Sequence, residues 1–333
     1  MKAIFLRAAR EPLRMEEVPD PIPGPGEAVI ELRCAALNHR DVWIQKGTYH
    51  VLKYPIIPGA DGAGIVSAVG TNVDRAWLGC EVIINPGVGW GESELSARED
   101  FATLGTPTNG TFAEKLVIPA IQLFEKPAHL DWVHAAALPL SGLTGFRAVF
   151  RRARLQPGER VLITGVGGGV ALFALQFAVA AGAKVLATSS SDQKLRRVRE
   201  LGAAGGANYR DADWSEQLRK QAGVFDVIID SACGPDFDKL VDLAAPGGRI
   251  ALFGTTTGSA AAFDMRAFFR KQLTLLGTKM GSMRDFRAMV EFVTRHRIQP
   301  IVDRVMPLAD VNAAYAALDR GEQFGKVVFS ISN

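Results

Sequence analysis

The segment Gly165-Val166-Gly167-Gly168-Gly169-Val170 follows an apolar run at 160–164 (RVLIT) and opens into a helical run at 170–181 (VALFALQFAVAA). A dinucleotide's pyrophosphate needs a tight turn, a backbone it can approach closely, and a helix N-terminus with unused N–H groups. Glycine permits the first two. Gly165, Gly167, Gly168, Gly169 and Val170 are therefore candidate phosphate-binding residues. The strict glycine pattern would place its last glycine at Val170. A shifted pattern, Gly165-xx-Gly168-xx-Ala171, fits better, with a small residue where helix and strand must pack. The plainer alternative is a glycine-rich connection in some other α/β protein.

The next strand bears on which dinucleotide would bind. A free ribose is usually met by Asp or Glu at that strand's tip. Here residues 184–188 (KVLAT) run into Ser189-Ser190-Ser191, and Asp192 is expected to cap the following helix. The hydroxyls of Ser189 and Ser190, with Lys194 one turn on, suit a 2′-phosphate. That favours NADPH as cofactor, with NADH possible. An ordinary serine loop and a solvated lysine are the bland alternative.

Such a turn needs a parallel sheet to carry it. Strands are expected at 160–164, 184–188, 225–230 (FDVIID), 249–253 (RIALF) and 273–276 (LTLL), with helices at 170–181 and 192–201 between the first of them. Alternation of strand and helix makes a doubly wound parallel sheet the natural architecture. The first third differs. Runs at 28–37, 62–69 and 80–84 are short and punctuated by Gly and Pro, which predicts a compact barrel or sandwich. A long polar loop at 86–111 follows. The tail predicts helices near 285–295 and around Tyr315, then a strand at 326–330.

Bulk composition narrows the classes. A net charge of +3 with no basic stripe excludes a nucleic-acid footprint. Cys34, Cys80 and Cys233 are odd in number and form no CxxC pair, so a reducing cytoplasm is the expected setting and no disulfide framework is expected. No run reaches the ~18 apolar residues of a membrane helix, and the N-terminus lacks a signal-peptide core.

Taken in order, several motifs resemble the medium-chain dehydrogenase/reductase family, and within it the zinc-free branch that includes quinone oxidoreductases. They are the proline-rich turn Pro21–Gly26, Ala36-Leu37-Asn38-His39-Arg40-Asp41, Pro58-Gly59-Ala60-Asp61-Gly62-Ala63-Gly64, Leu140-Ser141-Gly142-Leu143-Thr144, the glycine turn, Leu252-Phe253-Gly254, and Gly325-Lys326-Val327-Val328. The resemblance covers nearly the whole chain. It implies an α/β chain with a GroES-like β-barrel catalytic domain at 1–122 and 280–333, and a Rossmann dinucleotide domain at 123–279. Zinc-dependent members would carry Cys at Asn38, a His-Glu pair at Ala60-Asp61, and four cysteines in the long loop. None is present here, so no metal is expected. His39, His50 and Cys80 do not have the spacing of an alternative site.

The resemblance also places site residues. It implies Asn38, Asp41 and Tyr49 around the active cleft: Asn38 hydrogen-bonded to substrate or nicotinamide ribose, or else a turn-former; Tyr49 a donor of a hydrogen bond or proton, or equally a packed aromatic; and Asp41 a fixture of the local loop, or a cap. Thr144, Phe253 and Gly254 lie along the nicotinamide, Tyr209 near the adenosine phosphate, and Lys326 toward the cofactor phosphates. Without a Lewis acid, an acceptor whose charge is already delocalised is favoured, such as a quinone or an α,β-unsaturated carbonyl. The rivals are an alcohol or aldehyde dehydrogenase using NAD(P), and a cofactor-binding protein without turnover. A homodimer is expected, joined through the LTLLG edge strand, with a small molecule as the other partner.

Overall fold

In the computed structural model, which describes residues 1–49, 53–260 and 264–331, the strand Glu27–Ala36 organises the first unit. It is buried on most of its length and pairs antiparallel with three others, Asp61–Val69, Lys115–Pro119 and Lys326–Ser330. The seven-stranded sheet runs Val302–Pro307, Lys326–Ser330, Glu27–Ala36, Asp61–Val69, Glu81–Ile84 and Leu123–Glu125, with Lys115–Pro119 also on Glu27–Ala36. Its register sets which side chains can meet. Ala36 stands opposite Val328 on one side and Asp61 on the other, so the ends that carry Asn38, Asp61 and Lys326 come together. Beside them Phe112, Phe329, Leu6 and Ile44 form a core with no solvent exposure.

This unit comprises Met1–Leu143 and Gly281–Asn333; the second is Thr144–Met280. The second holds a six-stranded parallel sheet in the order Gly205–Asn208, Lys184–Ser189, Arg160–Ile163, Phe225–Asp230, Ala244–Leu252, Thr274–Gly277. The first three strands step outward in one direction. The fourth returns to the other side of Arg160–Ile163. That reversal opens a crevice at the carboxyl ends of Arg160–Ile163 and Phe225–Asp230, which is where ligands bind in open α/β sheets. Leu162, Leu186, Ile228 and Ile250 bury the sheet's interior face.

The doubly wound sheet expected from the sequence is present, and helices stand at Gly169–Ala180, Asp192–Glu200, Met283–His296 and Val311–Asp319. Three details differ. Residues 123–143, expected with the dinucleotide domain, cluster with the first unit, because Leu123–Glu125 pairs with Glu81–Ile84 and the helix Trp132–Ala137 packs on Glu27–Ala36 and Asp61–Val69. The 86–111 loop contains a small ladder, Gly87–Val88 with Ala102–Thr103. A hairpin of Lys2–Phe5 and Arg14–Glu17 has too short an apolar pattern to read from the sequence. Among the described residues no helix is long and apolar enough to cross a membrane. His50 lies outside the described residues.

Candidate active site

The glycine turn in the second unit is built as a cradle. Gly165 and Gly167 have φ of +65° and +135°, backbone that side-chain-bearing residues rarely adopt. Gly168 is the N-cap of the helix Gly169–Ala180. The first-turn N–H groups of that twelve-residue helix have no intrahelical acceptor, and its dipole adds partial positive charge. Ala171 is buried at the helix–strand contact, as the shifted pattern requires. These features fit a pyrophosphate.

The remaining second-unit candidates line up along the same sheet edge. Val166 N donates to Thr188 O, and Ser189 Oγ donates to Val166 O at 3.1 Å. Tyr209 N donates to Ser189 O, and its ring is 43% exposed. On the other side of the turn, a side chain at Gly165 would meet Ser231 Oγ, and one at Gly254 would meet Ser231 O. Phe253 N donates to Asp230 O. Tyr209, Ser189, the glycine turn, Phe253 and Gly254 are thus brought together by hydrogen-bonded backbone. Thr144 is buried at the start of this unit.

At two positions on this edge the structure differs from the sequence expectation. The Ser189 hydroxyl is buried and turned back to tie down the glycine turn, so it is not presented at the strand tip. Ser190 and Lys194, both half-buried, are the candidates that remain there. The cap of the next helix is Ser191, whose side chain accepts from Lys194 N; Asp192 is already helical and accepts from Asn208 Nδ2.

The sequence also left Asp230 unnoticed. It is fully buried, accepts from Cys233 N at 2.8 Å and Ala232 N at 3.2 Å, and is hydrogen-bonded by Thr164 Oγ1. It holds the 231–233 loop, in which Cys233 adopts φ +54°. An aspartate closing an apolar strand was the available signal.

In the first unit four buried polar side chains from four elements converge. Lys326 Nζ donates to Asn38 Oδ1 at 2.6 Å, to Asp61 Oδ2 at 2.9 Å, and to Ser141 Oγ at 3.5 Å. Asn38 Nδ2 donates to Asp61 Oδ2 at 2.9 Å, and Ser141 Oγ donates to Asn38 Oδ1 at 3.2 Å. The other Asp61 oxygen accepts from Leu140 N at 2.7 Å. Asp61 is fully buried and the Lys326 side chain is 4% exposed. Lys326 therefore does not reach toward cofactor phosphates, contrary to what the family resemblance implies. The strand that carries it pairs beside Ala36, and the buried Asp61 carboxylate draws the ammonium inward. Asn38 likewise has its carbonyl and one amide N–H engaged within the protein.

Asn38 and Asp61 fall in the two motifs where the family resemblance implies metal ligands in zinc-dependent members, and the donors of this cluster do not fit a metal. Three oxygens surround an ammonium, with neither thiolate nor imidazole among them. Among the described residues no group of three or more His, Cys, Asp or Glu side chains could hold a metal ion.

Next to the cluster, Asn38 caps the helix His39–Lys46, and Asp41 Oδ2 accepts from Asn38 N at 2.9 Å. Burial pushes the Asp41 carboxyl up to about 6, against the opposing pull of the Arg40 guanidinium. Arg40, itself buried, donates from Nη1 to Leu104 O and from Nε to Tyr49 Oη. Asp61, Ser141 and Arg40 were not singled out as functional from the sequence. A charged residue inside the apolar, glycine-rich PGADGAG run was the one usable sign.

The chain is similar to known proteins over most of its length. Residues 169–295 match the family model described as zinc-binding dehydrogenase, and residues 24–128 match the alcohol dehydrogenase GroES-like domain. The zinc-type alcohol dehydrogenase-like protein YogA of Leptosphaeria maculans is 36% identical, over 96% of this chain and 95% of its own. An acryloyl-coenzyme A reductase of Sulfurisphaera tokodaii is 29% identical over 98% and 99%. A solved structure described as an NAD-dependent alcohol dehydrogenase superposes with a TM-score of 0.95 at 36% identity, covering all of both chains.

Proposed function

The chain belongs to the medium-chain dehydrogenase/reductase family, and from that membership we propose a zinc-independent, NADPH-dependent reductase of quinones or α,β-unsaturated carbonyl compounds. That it is an NAD(P)H-dependent oxidoreductase agrees with the names of its relatives. The observation that carries the zinc-free reading is the Lys326 ammonium among Asn38, Asp61 and Ser141, where a second cation would meet an existing charge. The acceptor class draws support from the S. tokodaii relative, whose name specifies an α,β-unsaturated thioester.

When bound, the reduced nicotinamide supplies a hydride to the electrophilic carbon of the acceptor. Negative charge then develops on a conjugated carbonyl oxygen, where hydrogen-bond donors suffice without a Lewis acid. Tyr49 is the donor we assign to that oxygen. Asn38 and Asp41 hold the loop that presents it. The Gly165–Val170 turn takes the pyrophosphate, Ser190, Lys194 and Tyr209 the 2′-phosphate, and Thr144, Phe253 and Gly254 the nicotinamide side. We further propose a homodimer through the edge strand Thr274–Gly277. Among the described residues that strand is the last of its sheet, its Leu275 is 40% exposed, and Met265 and Phe269 of the preceding helix are also exposed.

The test is oxidation of NADPH by the purified protein with a panel of quinones, enones and enoyl thioesters, run beside NAD-dependent oxidation of simple alcohols. Turnover of the first panel by protein free of zinc is expected. Tyr49→Phe should lower enone turnover by about ten- to a thousandfold, the scale of losing one such donor. The alcohol dehydrogenase reading, which the name of the solved neighbour favours, takes over if ethanol is oxidised vigorously while quinones and enones are inert.

A further inference from the structure

Arg40 is a guanidinium in a place where an apolar side chain would fill the space more cheaply. It is 7% exposed, and Tyr49, which it contacts, packs against a core that includes Val42, Ile44 and Phe112. Burying a cation is unfavourable unless its contacts compensate. Those contacts divide the guanidinium in two. Nη1 is held from behind: it donates to Leu104 O at 2.7 Å and lies 3.6 Å from Asp41 Oδ1. Asp41 is itself fixed by Asn38 N. The other edge faces Tyr49: the guanidinium carbon lies 5.0 Å from the ring centroid, and Nε donates to Tyr49 Oη at 3.4 Å.

A leucine could cover that ring as well. A flat cation adds direction, because it fixes the plane of the ring by stacking and the position of the oxygen by its N–H. The N–H bond is long, so stacking carries most of the hold and the N–H sets the aim. Since Tyr49 Oη accepts from Arg40, the phenol's own hydrogen points away from the guanidinium. We infer that Arg40 is the positioning residue for Tyr49: anchored to Leu104 O and Asp41, it orients the phenol so that its hydrogen is delivered to the acceptor's oxygen. This deepens the reading of Tyr49 as donor and rests on it.

The test reads Tyr49 directly as well as through turnover. The chain has four tyrosines, so 3-fluorotyrosine labelling gives four fluorine NMR signals, with Tyr49 assigned by its loss in Tyr49→Phe. In Arg40→Met and Arg40→Lys the Tyr49 signal should move while the other three stay. Lysine should not rescue, because it keeps the charge but not the planar fork. With an enone acceptor, Arg40→Met should lower kcat by about tenfold or more and leave KM for NADPH unchanged. In the Tyr49→Phe background the same substitution should have no further effect on kcat. An unmoved Tyr49 signal, or an equal kcat loss in both backgrounds, overturns the assignment of Arg40. A displaced signal with turnover indifferent to Tyr49→Phe overturns the donor reading of Tyr49 instead. If neither Arg40 variant folds, nitrogen-15 arginine labelling reads the contact from the other side. The Arg40 Nε–H should exchange with solvent faster in Tyr49→Phe than in wild type, and equal rates overturn the proposal.

Discussion

Replacing Lys326 by methionine keeps most of the side chain's length and its apolar stem, so it opens little cavity and isolates the loss of the charge. What remains is an Asp61 carboxylate with no solvent exposure and no counter-charge within the cluster. The small value of an exposed ion pair is not the right scale here; removing one partner of a buried pair costs about 3–5 kcal/mol. Two hydrogen bonds to Asp61 survive, from Leu140 N and Asn38 Nδ2, which places the expected loss near the lower end, about 3 kcal/mol. The first unit has roughly two hundred residues, for which each kcal/mol moves Tm by about 2–4 °C, so a drop of about 6–12 °C is expected. Calorimetry of wild type, Lys326→Met, Asp61→Asn and the double variant gives a sign as well as a size. Asp61→Asn should destabilise the wild type, where it strands the ammonium, yet stabilise Lys326→Met, where it removes the stranded carboxylate. A loss below about 1 kcal/mol for Lys326→Met, or an Asp61→Asn effect of the same sign in both backgrounds, would refute the reasoning.

Asp41 provides a pH test. Its carboxyl is held at about 6 in the fold, above the usual aspartate value of about 4, so the folded state binds the proton more tightly than the unfolded one. That stabilisation is complete below about pH 4 and disappears as pH rises through about 6, a change of about 3 kcal/mol. Urea unfolding at pH 4 and pH 7 should show wild type losing that much relative to Asp41→Asn, and a pH-independent difference between the two would count against the assignment. Burial pushes the Cys34 thiol up to about 11. Iodoacetamide at pH 8 should label it about a hundredfold more slowly than an unperturbed thiol, as mass spectrometry of the alkylated chain will show; labelling at the rate of free cysteine would contradict it. Lys194→Ala should weaken NADPH binding by about ten- to a hundredfold while sparing NADH, the scale of one charge-assisted phosphate contact. Unchanged NADPH affinity in calorimetric titration would remove Lys194 from the site.

Periodicity and glycine placement made the second unit legible. The apolar strand 160–164, the turn and the apolar helix are local features, and a parallel sheet follows from their repetition. The first unit was harder because its chemistry is non-local. Lys326 reads in sequence as the start of a terminal strand, and nothing near it announces a carboxylate. Only the pairing of Lys326–Ser330 with Glu27–Ala36, and of that strand with Asp61–Val69, brings the ammonium to Asp61. Ser189 illustrates a different limit. Its place in the chain is right for a ligand, but which way a hydroxyl turns depends on the carbonyl of Val166, across the strand. Residues 123–143 lack any composition shift at their start, so the boundary between units is set by the pairing of Leu123–Glu125, which no local pattern announces.

The pairing of Lys326 with Asp61 also dictates an order of events during synthesis. The two residues are 265 positions apart, and the whole of Thr144–Met280 lies between them. A ribosome therefore finishes the parallel-sheet unit, a continuous stretch, before it makes the strand that neutralises Asp61. Throughout that interval the first 143 residues have a carboxylate destined for burial and lack the lysine that pairs with it. The unit that holds the N-terminal 143 residues can therefore complete its sheet only once the C-terminal strand has been made. Premature closure around Asp61 is opposed by its own charge until Lys326–Ser330 arrives to seal the sheet.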